Sequence, residues 1–211
     1  MTLAEFIAAR GISEILHFTT NRGLLGIFAT GCVKSRKRLP DESQLEYLFL
    51  PNTDYRKDAA WIDYVNLSIS QVNKRFLAWS RRRTRTDDRL FWCILAFDPA
   101  ILGHPGVLFT TTNNIYSGVK RGESVRDLAA LFAEKVHQWG DYYSSRTRGH
   151  EDHFPTCEQA EVLYPKSLSI DYLKRVYVAD GETQDEVHAM LGMLGKKNVD
   201  VTVQSELFRH G

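Results

Sequence analysis

Between residues 65 and 70, hydrophobic and polar residues alternate strictly. The apolar members are Val65, Leu67 and Ile69, and the polar members are Asn66, Ser68 and Ser70. Because successive side chains of a strand point to opposite faces, this alternation predicts a half-buried strand whose polar face lines a cleft. Residues 91–97 instead form an unbroken apolar run, Phe-Trp-Cys-Ile-Leu-Ala-Phe, which predicts a central strand buried on both faces.

A strand, a turn and a helix are predicted near the start of the chain. Residues 15–18 read Ile-Leu-His-Phe, which is typical of a short strand, and residues 19–21, Thr-Thr-Asn, form a polar turn. Asn21 is expected to cap a helix that carries its apolar residues on one face and ends at Gly31. The polar atoms of Thr19 and Asn21 would then lie at a helix N-terminus, where free backbone N–H groups favour anions such as a pyrophosphate.

Other segments predict further short elements. Capping patterns with an acidic residue three positions after Ser or Thr begin helices at Thr2, Ser124 and Thr183. The helix after Ser124 is expected to reach Trp139, because its apolar residues keep helical spacing, and to end at Gly140. Additional strands are predicted at 106–110, 159–164, 173–178 and 199–203.

The order of these elements predicts the fold class. Short strands dominate both halves of the chain, and helices are interspersed without regular β–α–β alternation. This favours an α+β fold with a mainly antiparallel sheet. Neither a Gly-x-Gly-x-x-Gly sequence nor a Walker loop is present, so a dinucleotide would have to be held in another way. A length of 211 residues suits one domain over residues 1–211.

Composition narrows the class of protein. Hydrophobic residues make up 43% and charged residues 25% of the chain, as in ordinary globular proteins. The net charge is +1, so nucleic-acid binding would depend on a local basic patch. Cys32, Cys93 and Cys157 lack C-x-x-C spacing and are expected to be reduced thiols in a cytoplasmic protein. Neither a membrane span nor a signal peptide is expected.

Basic residues cluster in two places, between residues 74 and 89 and between residues 140 and 156. Arginine pairs with phosphate through two donors and aromatic rings stack on bases, so both clusters are candidates for binding a nucleic-acid strand. The arginines predicted to contact the strand are Arg81, Arg82, Arg146 and Arg148, the last two close in sequence to Tyr142 and Tyr143. A solvated hairpin or helix end is the alternative for the first cluster. Residues 150–153, His-Glu-Asp-His, lack further ligands, and no metal is expected there.

An acidic residue begins the predicted strand at 159–164. Glu161 follows a polar loop and precedes the apolar run Val-Leu-Tyr. A carboxylate in this position can act as a general base or as a partner for a sugar hydroxyl. The alternative is an ordinary acid at a strand edge. A second polar stretch at residues 17–21 favours a site if both stretches line the same cleft.

Four short stretches, in this order along the chain, resemble the motifs of one known family. They are His17-Phe18-Thr19 followed by Asn21 and Gly31, then Asp63-Tyr64-Val65, Phe109-Thr110, and Gln159-Ala160-Glu161-Val162-Leu163. The ordered set is similar to that of the DarT family, DNA ADP-ribosyltransferase toxins that pair with DarG antitoxins. The resemblance implies an ADP-ribosyltransferase fold, in which a split antiparallel sheet binds NAD between its halves.

The resemblance also implies roles for individual residues. Glu161 would be catalytic, assisted by an arginine for which Arg36, Arg38 and Arg56 are candidates, with Arg56 selected. The expected NAD contacts are His17, Thr19, Asn21, Gly31, Tyr64 and Ser68. Asn113 would contact DNA. NAD would be a co-substrate without a metal, and a macrodomain-containing DarG antitoxin would be the protein partner.

The chain departs from the family pattern at two places. Ser68 and Ser70 lie in a strand where many members have a proline and aromatic residues, and Asn113 follows Phe-Thr where some members have a histidine. These departures are similar to the DarT1 branch, which is associated with guanine; the better-studied branch is associated with thymine. The predicted function is therefore transfer of ADP-ribose from NAD to guanine, otherwise thymine, in single-stranded DNA, with release of nicotinamide. The alternatives are a transferase of the same fold acting on RNA or protein, and a non-catalytic nucleic-acid-binding module.

Overall fold

The computed structural model describes residues 1–39, 59–83 and 89–209. The helices in these ranges are α1 (Leu3–Ala9), α2 (Asn21–Thr30), α3 (Lys74–Arg83), α4 (Val125–Ala130) and α5 (Gly181–Met193). The strands are β1 (Ile15–Thr20), β2 (Cys32–Lys34), β3 (Tyr64–Ile69), β4 (Trp92–Phe97), β5 (Leu108–Thr110), β6 (Arg121–Gly122), β7 (Lys135–Trp139), β8 (Tyr142–Ser145), β9 (Glu161–Pro165), β10 (Ser167–Ser169), β11 (Leu173–Val178) and β12 (Val201–Val203). Short 3-10 helices lie at Arg36–Arg38, Ala59–Trp61, Pro99–Gly103, Ile170–Tyr172 and Ser205–Phe208.

Eight strands form one sheet in the order β12-β11-β4-β1-β3-β9-β5-β6. Neighbouring strands are antiparallel except β11 and β12, which are parallel. Two smaller sheets pair β10 with β2 and β7 with β8. The predicted α+β class with a mainly antiparallel sheet is confirmed.

Apolar side chains cover both faces of the large sheet. On one face, α1, α2, α4 and α5 contribute Phe6, Leu24, Leu128 and Val187 to the larger core cluster. On the other face, Leu77 of α3 and Phe208 near the C-terminus pack with residues of β1 and β4. All six residues of β4 are buried, as predicted for a central strand, because β4 has a strand on each side and a core cluster on each face.

One predicted helix is wrong over much of its length. The capping box between Ser124 and Asp127 forms, but α4 ends at Ala130. Residues 135–145 form the hairpin β7–β8, which turns at Gly140 with a positive φ of 48°. The apolar residues with helical spacing also suit a strand, and aromatic residues pair well across a hairpin: the Trp139 and Tyr142 ring centroids lie 5.1 Å apart.

Two helix caps also differ from the predictions. Thr20, not Asn21, caps α2, because β1 continues through Thr19 and Thr20 along β4. Asp180, not Thr183, caps α5, and its carboxylate accepts the Thr183 N–H. In each case the cap lies earlier than predicted, and the predicted residue lies within the first turn of the helix.

Candidate active site

The large sheet splits between β1 and β3. All six residues of β1 pair with β4, but in the described structure β1 pairs with β3 only through Ile15–Ile69 and Leu16–Ser68. The remaining part of β3 pairs instead with β9 on its other side. The two half-sheets, β12-β11-β4-β1 and β3-β9-β5-β6, therefore diverge just after Leu16, and His17 is the first residue beyond the junction.

The ring of His17 reaches across the split to β3. The Nδ1 of His17 lies 3.1 Å from the backbone carbonyl oxygen of Asn66 in β3. Because a carbonyl only accepts, Nδ1 carries the proton, and Nε2 of the neutral ring is an acceptor. Burial lowers the pKa of His17, opposed by this hydrogen bond, so the ring is neutral near pH 7.

Glu161 lies on the other side of the split, at the start of β9. The strand register places Glu161 on the same sheet face as Ser68 and Asn66. Asn66 Nδ2 donates to Glu161 Oε1 at 3.0 Å, and the Asn114 backbone N–H donates to Oε2 at 2.8 Å. The side chain of Asn66 thus contacts Glu161 while its carbonyl contacts His17, which brings the two predicted stretches into one site.

Thr110 fixes the backbone of Glu161. The two residues are paired between β5 and β9, and the fully buried Thr110 Oγ1 accepts the Glu161 N–H at 3.2 Å. The same hydroxyl lies 3.1 Å from the Glu161 carbonyl oxygen. Backbone and carboxylate are therefore both restrained, which is the arrangement that a preorganised catalytic group requires.

Arg121 in β6 forms two hydrogen bonds with Asn114, the residue whose backbone N–H donates to Glu161. Its Nε donates to Asn114 Oδ1 at 2.6 Å, and its Nη2 donates to the Asn114 carbonyl oxygen. The guanidinium carbon also lies 5.1 Å from the Trp61 ring centroid, within the range of a cation–π contact. Desolvation lowers the pKa of Arg121 and the charge of Glu161 opposes this shift, so the two charges act on each other.

A second contact reaches the residues just before Glu161. The Tyr116 hydroxyl donates to Gln159 Oε1 at 2.8 Å, and burial raises the pKa of Tyr116. The ring of Tyr116 packs edge-on against Trp139 of β7, with centroids 4.5 Å apart. The hairpin β7–β8, which carries the exposed Tyr142 and Tyr143, is thereby joined to the Glu161 strand.

The N-terminus of α2 lies beyond His17 on the first half-sheet. Thr20 Oγ1 accepts the Gly23 N–H at 3.2 Å, and Asn21 Nδ2 donates to the Arg89 carbonyl oxygen at 2.9 Å. A Cβ added at Gly23 would lie 2.1 Å from Thr19 Oγ1, so α2 and β1 approach too closely for a side chain there. The hydrogen bond from Asn21 to Arg89 connects the start of α2 to the segment that enters β4.

The other predicted NAD contacts are divided. Tyr64 lies on the same β3 face as Asn66 and Ser68, with its ring 5.6 Å from that of Trp61. Gly31 terminates α2 in the left-handed conformation. Because the ten-residue helix is about 15 Å long, Gly31 lies far from the end that carries Asn21.

Of the arginines predicted to assist catalysis, Arg38 is engaged by another carboxylate. Arg38 forms a two-point pair with Asp63, at 2.7 and 2.9 Å, which with Ser35 lowers the pKa of Asp63 to about 2. Its guanidinium therefore anchors the start of β3. Arg36 lies in the same 3-10 helix. Arg56 lies outside the described residues.

The predicted DNA contacts also separate into two groups. Arg82 and Arg148 are exposed, whereas the side chain of Arg146 is 9% exposed and donates to the carbonyl oxygens of Phe154 and Glu151. Arg81 donates to the Phe208 carbonyl oxygen at 2.7 Å and so anchors the C-terminal segment. The Oδ1 of Asn113 accepts the Ile115 N–H within its own turn.

Two further properties concern metals and membranes. Among residues 1–39, 59–83 and 89–209, no group of three or more metal-binding side chains comes together, and His150 Nε2 lies 3.2 Å from the Phe154 carbonyl oxygen. No helix within the described ranges is both long and apolar enough to cross a bilayer.

Sequence reasoning missed Asn66, Asn114 and Arg121 as site residues. The alternation at 65–70 places Asn66 on the same face as Ser68, so a signal for Asn66 was present. Asn114 acts through its backbone N–H, and Arg121 acts through Asn114. Neither role follows from residue type or spacing.

Comparison with known proteins assigns the family. The sequence model described as "DarT: ssDNA thymidine ADP-ribosyltransferase" matches residues 16–209. This chain belongs to the DarT family. Its members are ADP-ribosyltransferases that modify single-stranded DNA, so the family predicted from the four short stretches is confirmed. No curated protein sequence matches the chain significantly.

Solved DarT structures share the fold. Thermus sp. 2.9 DarT in complex with ADP-ribosylated ssDNA superposes with a TM-score of 0.69 at 16% identity, covering 94% of this chain and 97% of the other. The NAD+ complex of the same protein gives a TM-score of 0.65 at 16% identity, with 93% and 98% coverage. Thermosipho africanus DarTG in complex with ADP-ribose gives 0.57 at 15% identity, covering 93% of this chain and 51% of that longer chain.

Proposed function

We propose that this DarT-family protein transfers ADP-ribose from NAD to a thymine base of single-stranded DNA and releases nicotinamide, with Glu161 as the catalytic residue. One observation carries the proposal. The Glu161 carboxylate is fixed by Asn66 and Asn114 beside the split, and Asn66 also binds His17 on the opposite half-sheet.

The first bond change is cleavage of the glycosidic bond between nicotinamide and ribose. Nicotinamide leaves with the bonding electrons, and positive charge develops on the ribose as an oxocarbenium-like transition state. A carboxylate fixed in place stabilises that charge and accepts a hydrogen bond from the ribose 2′-hydroxyl. Glu161 has both oxygens oriented by protein donors, so little reorganisation is needed when the charge appears.

The second bond change joins the ribose to the base. The N3 nitrogen of thymine attacks the ribose carbon, and Glu161 accepts the N3 proton before passing it to solvent. An unpaired strand presents this edge of the base without the cost of extruding it from a duplex. The products are nicotinamide, one proton and ADP-ribosylated DNA.

The choice of thymine rests on the description of the family, which names thymidine. Guanine, which the departures at Ser68, Ser70 and Asn113 favoured, stays a prediction without independent support. Both bases carry a ring N–H that Glu161 can deprotonate, so the carboxylate alone does not distinguish them.

The NAD donor is proposed to lie across the split. Supporting this position are the neutral His17 ring, the β1–α2 corner with Thr19 and Asn21, and the polar β3 face with Tyr64 and Ser68. The Thermus sp. 2.9 DarT structures in complex with NAD+ and carba-NAD+ support NAD as co-substrate. A contact between NAD and Gly31, which ends α2, stays a prediction.

The DNA strand is proposed to approach from the side of the hairpin β7–β8. Tyr142 is 64% exposed and Tyr143 48% exposed, which leaves ring faces available for base stacking. Lys135 Nζ lies 4.1 Å from the Tyr143 ring centroid, and the exposed Arg148 follows β8. Arg82 on α3 is a second exposed cation for the phosphates. A DNA contact by Arg146 stays a prediction, since its side chain is mostly buried and binds Phe154 and Glu151.

Mass spectrometry of modified oligonucleotides tests the proposal. Single-stranded oligonucleotides containing thymine or guanine in an adenine–cytosine background would be incubated with protein and NAD, then digested to nucleosides. We expect one ADP-ribose on thymidine, nicotinamide release, and neither with Glu161→Gln. An adduct on deoxyguanosine would replace thymine by guanine. Labelling of RNA or protein alone, or salt-sensitive DNA binding without any adduct, would overturn DNA transfer.

The remaining proposals concern the chain's surroundings. A DarG-type antitoxin partner is supported by the Thermosipho africanus DarTG structure, and co-expression with a genomically adjacent antitoxin should relieve growth arrest. A single domain over residues 1–211 is supported by the Phe6–Phe132 ring contact at 5.7 Å, which joins α1 to the same core. A macrodomain in the antitoxin and a cytoplasmic location stay predictions.

A further inference from the structure

Asn114 is an unusual donor to Glu161 because it acts through its backbone. Its N–H is 2.8 Å from Glu161 Oε2, and the residue is 4% exposed. The direction of a backbone N–H depends on the conformation of the loop that contains it. The loop in question spans residues 111–120, between β5 and β6, and its direction at Asn114 decides where one carboxylate oxygen of Glu161 is held.

Arg121 is bonded to both acceptors of Asn114. Its Nε contacts the side-chain oxygen at 2.6 Å, and its Nη2 contacts the carbonyl oxygen. Arginine presents these donors in a rigid planar fork, so two contacts to one residue fix the orientation of that residue. Lysine, with a single ammonium on a flexible stem, has no equivalent geometry.

The position of Arg121 is itself restrained. β6 pairs with β5 at Arg121–Thr110, and the guanidinium lies over Trp61. Thr110 is also the residue paired with Glu161 on the other side of β5. Arg121, Thr110 and Glu161 therefore lie in one row across three adjacent strands, which fixes the position of Arg121 relative to Glu161.

We propose that Arg121 is a positioning residue for the transfer reaction: its fork on Asn114 aims the Asn114 N–H at Glu161 Oε2 and places a positive charge close to the carboxylate. The inference rests on the proposed role of Glu161. The role differs from direct substrate binding, because it acts through the two hydrogen bonds from Arg121 to Asn114.

The test compares two substitutions of Arg121 with one of Asn114. Arg121→Lys keeps the charge and loses the fork, Arg121→Met loses both, and Asn114→Ala removes the side-chain acceptor. Removing a partner that orients a reacting group costs about 10- to 100-fold in kcat. We expect roughly 30-fold for Arg121→Met and roughly 10-fold for each of the other two, with KM for NAD unchanged within about threefold.

The double variant Arg121→Met/Asn114→Ala distinguishes this role from independent contributions. If Arg121 acts through Asn114, the double variant should be no slower than Arg121→Met within about twofold, because the two residues share one path. Multiplying effects would overturn the proposal. So would an unchanged kcat with a raised KM for NAD or DNA, since that pattern indicates direct contact with the substrate.

Control variants distinguish a specific effect of Arg121 from a general effect of losing an arginine or of unfolding. Arg126→Met removes an exposed arginine on the neighbouring α4 and should leave kcat unchanged. Melting temperatures for all variants show whether a loss of activity is a loss of folding, and Arg121→Lys serves if Arg121→Met unfolds. Nicotinamide release without DNA is measured alongside transfer. If wild-type protein releases nicotinamide but modifies no DNA, the proposed acceptor fails while the Arg121 comparison is still tested on nicotinamide release.

Discussion

The two half-sheets that meet at the split differ in the way they build their side of the site. On the β1 side, the neutral ring of His17 reaches the split, and the uncharged residues Thr19, Thr20 and Asn21 follow it at the start of α2. On the β3–β9 side, the centre is an ionisable carboxylate whose two oxygens accept hydrogen bonds from Asn66 and Asn114. The β1 half-sheet contributes uncharged donors and acceptors, and the β3–β9 half-sheet contributes the negative charge of Glu161.

This difference matches the demands of glycosyl transfer. A donor such as NAD presents hydroxyl and amide groups and a pyrophosphate, all of which uncharged donors and the backbone N–H groups of a helix N-terminus can bind. The developing oxocarbenium ion instead requires a nearby negative charge that cannot reorient. Asn66 contacts both sides, through its carbonyl to His17 and its amide to Glu161.

The largest expected effect comes from removing the charge of the second half. Glu161→Gln should lower transfer by about 1,000-fold or more, since the group would lose both charge stabilisation and proton acceptance. NAD affinity, measured by calorimetry, should change little. Glu158→Gln is the matched control, because Glu158 Oε1 accepts the Lys74 N–H at 2.6 Å at the start of α3 and an amide oxygen can replace it. Equal losses in both variants would contradict the assignment of catalysis to Glu161.

The next effect comes from breaking the contact between the halves. Asn66→Ala removes the donor to Glu161 Oε1 but keeps the carbonyl that binds His17, so kcat should fall about 10- to 100-fold with little change in KM. Asn66→Asp should fall further, because a second carboxylate would repel Glu161. Full activity of Asn66→Asp would mean that the contact has no role in aligning Glu161.

A smaller effect tests the close packing of the first half. Gly23→Ala would place a methyl group 2.1 Å from Thr19 Oγ1 and should lower the free energy of unfolding by about 1 kcal/mol, the overpacking cost outweighing the higher helix propensity of alanine. Thr19→Ala in the same chain removes the clashing oxygen and should restore most of the stability. Denaturant unfolding of the single and double variants measures both changes, and a stabilised Gly23→Ala single variant would show that Thr19 rotates away freely.

The smallest effect is the titration of His17. Its pKa is lowered in the folded protein, so below its ordinary value of about 6.5 the unfolded chain gains a proton that the folded chain does not. The stability contributed by the neutral ring is present above pH 6.5 and is lost as the pH falls through the folded-state pKa. The difference in unfolding free energy between wild type and His17→Gln should therefore shift against the wild type between pH 7.5 and 5.5. NMR titration should find the ring pKa below 6.5.

Local patterns in the sequence determined much of this protein. The alternation at 65–70 gave β3 its two faces, the apolar run at 91–97 predicted the central β4, and capping residues located the starts of α1 and α4. The order of four short stretches was enough to indicate the DarT family. The predictions of these strands and helices use residues close together in the chain, where backbone geometry fixes which side chains share a face.

Only the tertiary structure decided how the site is assembled. Asn66 and Glu161 are 95 residues apart, and Asn114 lies 47 residues from Glu161. The hairpin at 135–145 formed where helical spacing predicted a helix, because pairing between strands outweighed a local pattern that suits both. Hydrogen bonds to distant backbone groups depend on strand register and on the direction of loops. Neither can be predicted from the residue types alone. Glu161 was therefore predictable as a candidate, whereas its partners Asn114 and Arg121 were not.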